Sequence, residues 1–297
     1  MTTQYSQLSQ KDFSNVNVVI ADSNPHEREA IENDLLTIGF KNILSTDNCK
    51  DLTNAIVEGQ VDLLICDTAL EDGCVTDLVY SMRLGVLGNN MFPVVIMIIT
   101  EPTQRIVQNV INSGVDAILA RPFSQNNLYE RVLKLSNKRE HFVVTSDYIG
   151  PNRRQMHRPG TLEIPKITVP NPFRNKVTGF FSPAEYDDFV EHTATTINEQ
   201  RITRQTFHIS YLIDKIQPGE GGYRPSKGLP AEWKSLVFTT NDLSVRVKSS
   251  QFTHMNRMTL TLTKFVNEMD DAGTLQSNDL RLLTHLSNGI SRGLSLH

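Results

Sequence analysis

The stretch 61-VDLLICDTALEDG-73 holds an apolar run that ends in Asp67, and an Asp-Gly pair closes it. A short continuous apolar run bounded by turn residues reads as a strand buried on both faces. Strands of that kind belong in parallel sheets covered by helices. The carboxylate at the strand end then has two readings. It caps the segment that follows, or it does chemistry at the sheet edge, where open α/β sheets bind their ligands.

Outward from this stretch the pattern repeats. The runs 16-VNVVIA-21, 42-NILST-46, 93-PVVIMIIT-100 and 115-VDAILA-120 read as further strands. Between them lie segments of helical period. In 22-DSNPHEREAIENDLLTIGF-40, Pro25 suits a first turn, and Ile31, Leu35 and Leu36 recur at helical spacing. The segments 50-KDLTNAIVEG-59, 75-VTDLVYSMRL-84, 103-TQRIVQNVINSG-114 and 124-SQNNLYERVLKLS-136 follow the same rule, two of them closing at Gly59 and Gly114. Five βα repeats with short connections predict a parallel sheet with helices on both faces. Asp22, Asp67, Thr100 and Arg121 would then meet at one rim.

These residues carry a resemblance. The pieces 19-VIADSNPHER-28, 64-LICDTALEDG-73, 97-MIIT-100 and 113-SGVDAILARPF-123 match, in order and spacing, the receiver domain of two-component response regulators, from about residue 14 to 137. The resemblance implies a flavodoxin-like (βα)5 fold, with Asp67 as phosphoacceptor. It also implies Mg2+ held by Asp22, Asp67 and the backbone carbonyl of Ala69, and Thr100 and Arg121 on the phosphoryl oxygens. A cognate histidine kinase or phosphotransfer protein would be the phosphodonor, and the Arg121-Pro122 bond would be cis. Four positions depart from the family. Ser23 replaces the second metal-binding acid, which weakens a Mg2+ site that prefers anionic oxygens. Arg121 stands in place of lysine; its planar fork is not a point ammonium, and it can bridge to Asp67 when no phosphate is present. Glu101 replaces a small residue beside the phosphoryl group, and the switch aromatic is Ile118, expected to be buried. Three functions remain open, in this order: a working receiver, a receiver-like scaffold that no longer takes phosphate, and a DNA-binding regulator with an atypical output domain. Asp22 also suits a helix cap.

Past the fifth helix the text changes. Between 148 and 178 there are five prolines, and six basic residues face one acidic residue, Glu163. This predicts an extended linker, with its arginines either solvated or acting as a binding arm. Ser182, Pro183 and Glu185 start a helix expected to run to Ile216, with a seam of Ile202, Thr206, Ile209, Ile213 and Ile216. A short helix at 231–238 is expected. Asn241 or Asp242 then caps a further helix to Met269, carrying Met255, Met258, Leu262 and Phe265. A last helix carries Leu280, Leu283, Ser287, Ile290 and Leu294. The expected organisation is therefore a tail (1–13), a receiver domain (14–140), a Pro/Arg-rich linker (141–181) and an all-α region (182–297) that pairs with itself or a protein partner.

Composition bounds the function. Residues 1–150 hold 11 basic against 19 acidic side chains, and the remainder hold 18 against 14. The second balance is too weak to argue for nucleic acid. No apolar run reaches the roughly 20 residues of a spanning helix, and the first residues lack the apolar core of a secretion signal. Cys49, Cys66 and Cys74 are too few and too scattered for a disulfide framework or zinc site. His192, His208, His254 and His285 lie in the helical text, and 285-HLSNG-289 only faintly resembles a phosphotransfer motif. The expectation is a cytoplasmic signalling protein rather than an enzyme.

Overall fold

The computed structural model describes residues 11–154, 164–180, 182–217 and 229–295. The chain divides into two compact units, residues up to 143 with 148–194, and 144–147 with 195 onward.

In the first unit five strands form one parallel sheet: β1 (Asn17–Ala21), β2 (Asn42–Thr46), β3 (Leu63–Asp67), β6 (Val94–Ile99) and β7 (Ala117–Ala120). Their order is β2-β1-β3-β6-β7, the flavodoxin-like arrangement, whose ligand crevice lies where the order reverses, beside β1. Side chains alternate across the sheet. Val18, Ile20, Leu63, Ile65, Ile96 and Ile98 pack on one face, beneath helices α1 (Pro25–Ile38) and α5 (Gln125–Asn137). Val19, Leu64, Cys66, Val95, Met97 and Ile99 pack on the other, beneath α2 (Cys49–Val57), α3 (Val75–Arg83) and α4 (Gln104–Asn112). Burial on both faces explains why the strands read as unbroken apolar runs.

Local chemistry sets the helix starts. Asn24, Asn48, Thr103 and Ser124 each accept a backbone N–H of the first turn, satisfying a donor the helix cannot. Gly39 ends α1 with φ of 112°, in the left-handed region where a side chain is strained. Leu36, counted in the apolar spacing of α1, is half-exposed. Ile118 is also only partly buried rather than enclosed. A small hairpin, β4 (Ala69–Leu70) with β5 (Gly73–Cys74), follows β3; the Asp-Gly pair signals its turn.

The expected linker is not an extended tether. Strands β8 (Phe142–Val144) and β9 (Ile149–Pro151) pair, Phe142 bridges Ile167, and a helix, α6 (Pro172–Thr178), follows. Arg139 explains the packing. It bonds Asp116 at 2.7 Å and the carbonyls of Phe92, Pro93 and Pro170. Arg83 reaches Asp116 as well, at 3.0 Å, and the Phe142 ring lies 5.4 and 4.7 Å from the two guanidinium carbons. Arg153 donates to the Val115 carbonyl. Phe173 is fully enclosed against Phe13 and Phe40, a burial that contributes about 2 kcal/mol. Phe13 shows that the expected tail ends inside the core. Residues 155–163, with Arg158 and Glu163, lie outside the described residues.

The second unit is helical: α7 (Pro183–Ile216, its first turns belonging to the first unit), α8 (Trp233–Val247), α9 (Asn256–Ala272) and α10 (Ser277–Leu294). The seam on α7 is buried as the spacing predicts, as are Leu280, Leu283, Ser287 and Ile290. The expected cap at Asn241 or Asp242 is absent. The helix begun at Trp233 runs through both residues, and the chain breaks after Val247 instead. Asp242 lies inside the helix because Arg201 (2.9 Å), Arg246 (2.8 Å) and Gln205 all donate to its Oδ2, and Asn241 bonds Asn267. Met258 is more than a third exposed. Of the four histidines, His254 meets the Gly293 carbonyl and His208 meets Ser235. No described helix is long and apolar enough to cross a membrane.

Candidate functional site

The ends of β1, β3, β6 and β7 bring Asp22, Asp67, Thr100 and Arg121 to one rim. The centre of the rim is the Arg121 guanidinium. Nη2 bonds Asp22 Oδ2, and Nη1 bonds Asp67 Oδ2 at 2.6 Å. Nη1 also reaches Thr100 Oγ1 at 3.4 Å. Nε faces Glu27 Oε2 at 3.4 Å, an ion-pair distance. One guanidinium thus meets three carboxylates. The Arg121 side chain is only 15% exposed, Asp22 3% and Asp67 18%, so these charges interact where water screens them weakly. Burial alone would lower the pKa of Arg121, but Asp22 and Asp67 together raise it, which keeps the guanidinium charged. The Arg121-Pro122 bond is cis.

The remaining oxygens of the two aspartates are also occupied. Asp67 Oδ1 accepts the Thr68 amide at 2.5 Å and the Thr68 hydroxyl at 2.9 Å. Asp22 Oδ1 accepts the Asn24 amide at 2.8 Å, so it tethers the start of α1, and Arg28 Nη1 bonds the Asp22 carbonyl. Every carboxylate oxygen of the pair therefore already has a donor. A divalent cation needs several anionic oxygens at once. Here one guanidinium takes the charge of both aspartates, and the third position, Ser23, is an exposed hydroxyl. This arrangement of donors does not fit Mg2+. Among the described residues no group of three His, Cys, Asp or Glu side chains is arranged to hold a metal ion.

The other expected residues lie around this centre. Ala69 is exposed and its backbone pairs with Cys74 in the hairpin. Thr100 and Glu101 are exposed at the end of β6. Sequence reasoning missed Glu27, Arg28 and Thr68. The two charged residues belong to the first turn of α1, whose start at Pro25 aims that turn at the rim. Thr68 simply follows the acid, and its role depends on the β3–β4 turn.

A scan of protein-family models finds no match to the chain, and a search of curated proteins finds none either. Solved structures do align with it. Chemotaxis protein CheY4 of Vibrio cholerae is 17% identical over 40% of this chain and 96% of its own, with a TM-score of 0.36. The receiver domain of a sensor histidine kinase from Pseudomonas aeruginosa, with magnesium in its active-site cleft, is 18% identical over 40% and 94%, with a TM-score of 0.36. A signal receiver domain from Bermanella marisrubri is 18% identical over 39% and 94%, again with a TM-score of 0.36.

Proposed function

We propose that residues 14–140 act as a receiver-type signalling module whose acidic rim is closed by its own arginine. Its contacts with partners then do not depend on phosphoryl transfer. The observation that carries this reading is the Arg121 guanidinium bonded to both Asp22 and Asp67. It supplies internally the positive charge that a metal would otherwise bring, and it engages one of the two carboxylate oxygens of Asp67. The helical region, from 182 onward, is then the interaction module, which binds a protein partner or a second copy of itself.

The second reading is a response regulator that accepts a phosphoryl group at Asp67 from a histidine kinase or phosphotransfer protein. Asp67 favours it, because the side chain ends a buried strand yet stays partly exposed, with Thr100 and Arg121 beside it. In that case Arg121 would release Asp67 and pair with the phosphoryl oxygens, and Asp22 and Asp67 would hold Mg2+.

Mg2+ with acetyl phosphate, read by intact mass beside a receiver of known competence, separates the two. The expected outcome is no phosphate-sized gain on the full chain. A gain that disappears in Asp67→Asn would establish the second reading and remove the first.

A further inference from the structure

One edge of the parallel sheet is open. β2 is the last strand on its side, and among the described residues its strand partner is β1 alone. The Asp22 amide donates to the Thr46 carbonyl, so Thr46 turns its backbone groups toward β1. Backbone direction alternates along a strand, so Asn42 and Leu44 face β1 as well, while Ile43 and Ser45 present their N–H and C=O groups outward. Folded proteins usually blunt such an edge with charge, proline or a bulge. The opposite edge strand, β7, is of that kind: it follows Asp116 and runs straight into Arg121 and Pro122. The five residues of β2, NILST, include no charge, proline or glycine. Leu44 on this strand is 44% exposed. Ile43 turns to the other face and packs against the core beneath α1. Leu36, also half-exposed, is on α1, the helix that contacts β2 on that face.

We infer that β2 is a contact surface for a second copy of this chain, paired antiparallel about a twofold axis at Leu44. A twofold contact requires a surface that complements itself, and the stretch 41-KNILSTD-47 does so. Set against its own reverse about Leu44, Lys41 falls opposite Asp47, Asn42 opposite Thr46 and Ile43 opposite Ser45. Lys41 and Asp47 are both exposed, so opposite charges meet at each end of the contact. Ile43 and Ser45 face outward, as residues that exchange hydrogen bonds across an antiparallel pair must. Leu44 then meets Leu44 of the second copy at a position without hydrogen bonds, where side chains come closest. Asp47 lies 3.6 Å from Arg28 Nη2 within its own chain, but its side chain is 58% exposed, and an ion pair so exposed is weak. The axis stands normal to the sheet. The two α1 helices therefore share one face, and the two sheets join into one that has lost both open β2 edges. The inference does not depend on whether Asp67 takes a phosphoryl group, and it uses a surface other than the helical region.

Sedimentation velocity on the full chain, over rising protein concentration, is the test. The expected result is a monomer that passes into a dimer. Ser45→Pro deletes an outward N–H and spares the bonds to β1. It should stay monomeric where the wild type is dimeric, with wild-type circular dichroism. Lys41→Glu opposes like charges at both ends of the contact and should weaken the dimer roughly tenfold. Lys41→Glu combined with Asp47→Lys restores opposite charges and should recover the wild-type dissociation constant. If the proline variant loses its fold, the charge exchange alone decides. The inference is overturned if the wild type is monomeric throughout, or if the double exchange binds no more tightly than Lys41→Glu. It is overturned equally if folded Ser45→Pro dimerises as well as the wild type, the outcome that a dimer built by the helical region would give.

Discussion

At the scale of single residues, Arg121 governs the rim. Removing one partner of a buried ion pair leaves the other charge desolvated and unpaired, which costs about 3 kcal/mol. Arg121→Gln strands two such charges, Asp22 and Asp67, with Glu27 nearby. Thermal unfolding of this variant should show a loss of about that size. The same substitution frees carboxylate oxygens for a cation, so millimolar Mg2+ should raise the Tm of Arg121→Gln and leave that of the wild type unchanged. A wild-type Tm that climbs with Mg2+ would mean that the guanidinium does not stand in for a metal. Asp67, Asp22, Thr100 and Arg121 were legible from strand ends alone. The bond pattern among them was not, because it depends on rotamers and on side chains such as Thr68 and Glu27 that no spacing singles out.

At the scale of elements, the segment after α5 shows how proline-rich text misleads. Prolines and glycines forbid long regular elements but do not forbid packing. Here the segment is held by side chains in the sheet unit: Asp116 with Arg83 and Arg139, and Phe142 against both guanidinium groups. Asp116 lies just ahead of β7, so the anchor is at the opposite end of the sheet from the Arg121 rim. Phe142 has no exposed surface, and Phe142→Ala removes both the ring's burial and its contact with two cations. The expected cost is about 3–5 kcal/mol, read by urea unfolding. A cost below about 1 kcal/mol would mean that the segment is only draped over the surface.

At the scale of the whole molecule, two units carry separate hydrophobic cores. The helical one also holds a charge cluster. Burial pushes the Asp242 carboxyl up, but Arg246 and Arg201 outweigh it and hold the pKa below the usual carboxylate range. The unfolded chain therefore takes up this proton more readily than the folded one. The stabilisation is complete above the ordinary carboxylate pKa and is lost as pH falls through the lowered folded value. Acid titration followed by far-ultraviolet circular dichroism should show helix loss that is steeper in the wild type than in Asp242→Asn, the variant being less stable at neutral pH. Equal acid profiles would remove Asp242 from the account.

Sequence alone determined the βα alternation, the strand ends that build the rim, the glycine signals at helix ends, and the buried seams of α7 and α10. Each is a local or periodic property, set by side-chain polarity within one element. Only the tertiary structure decided the state of the rim, the packing of residues 139–154 and 164–178, and the continuous helix through Asp242. Each of these depends on groups distant in sequence that neutralise or enclose one another. The energy of such contacts belongs to the pair and leaves no trace in either residue's own neighbourhood.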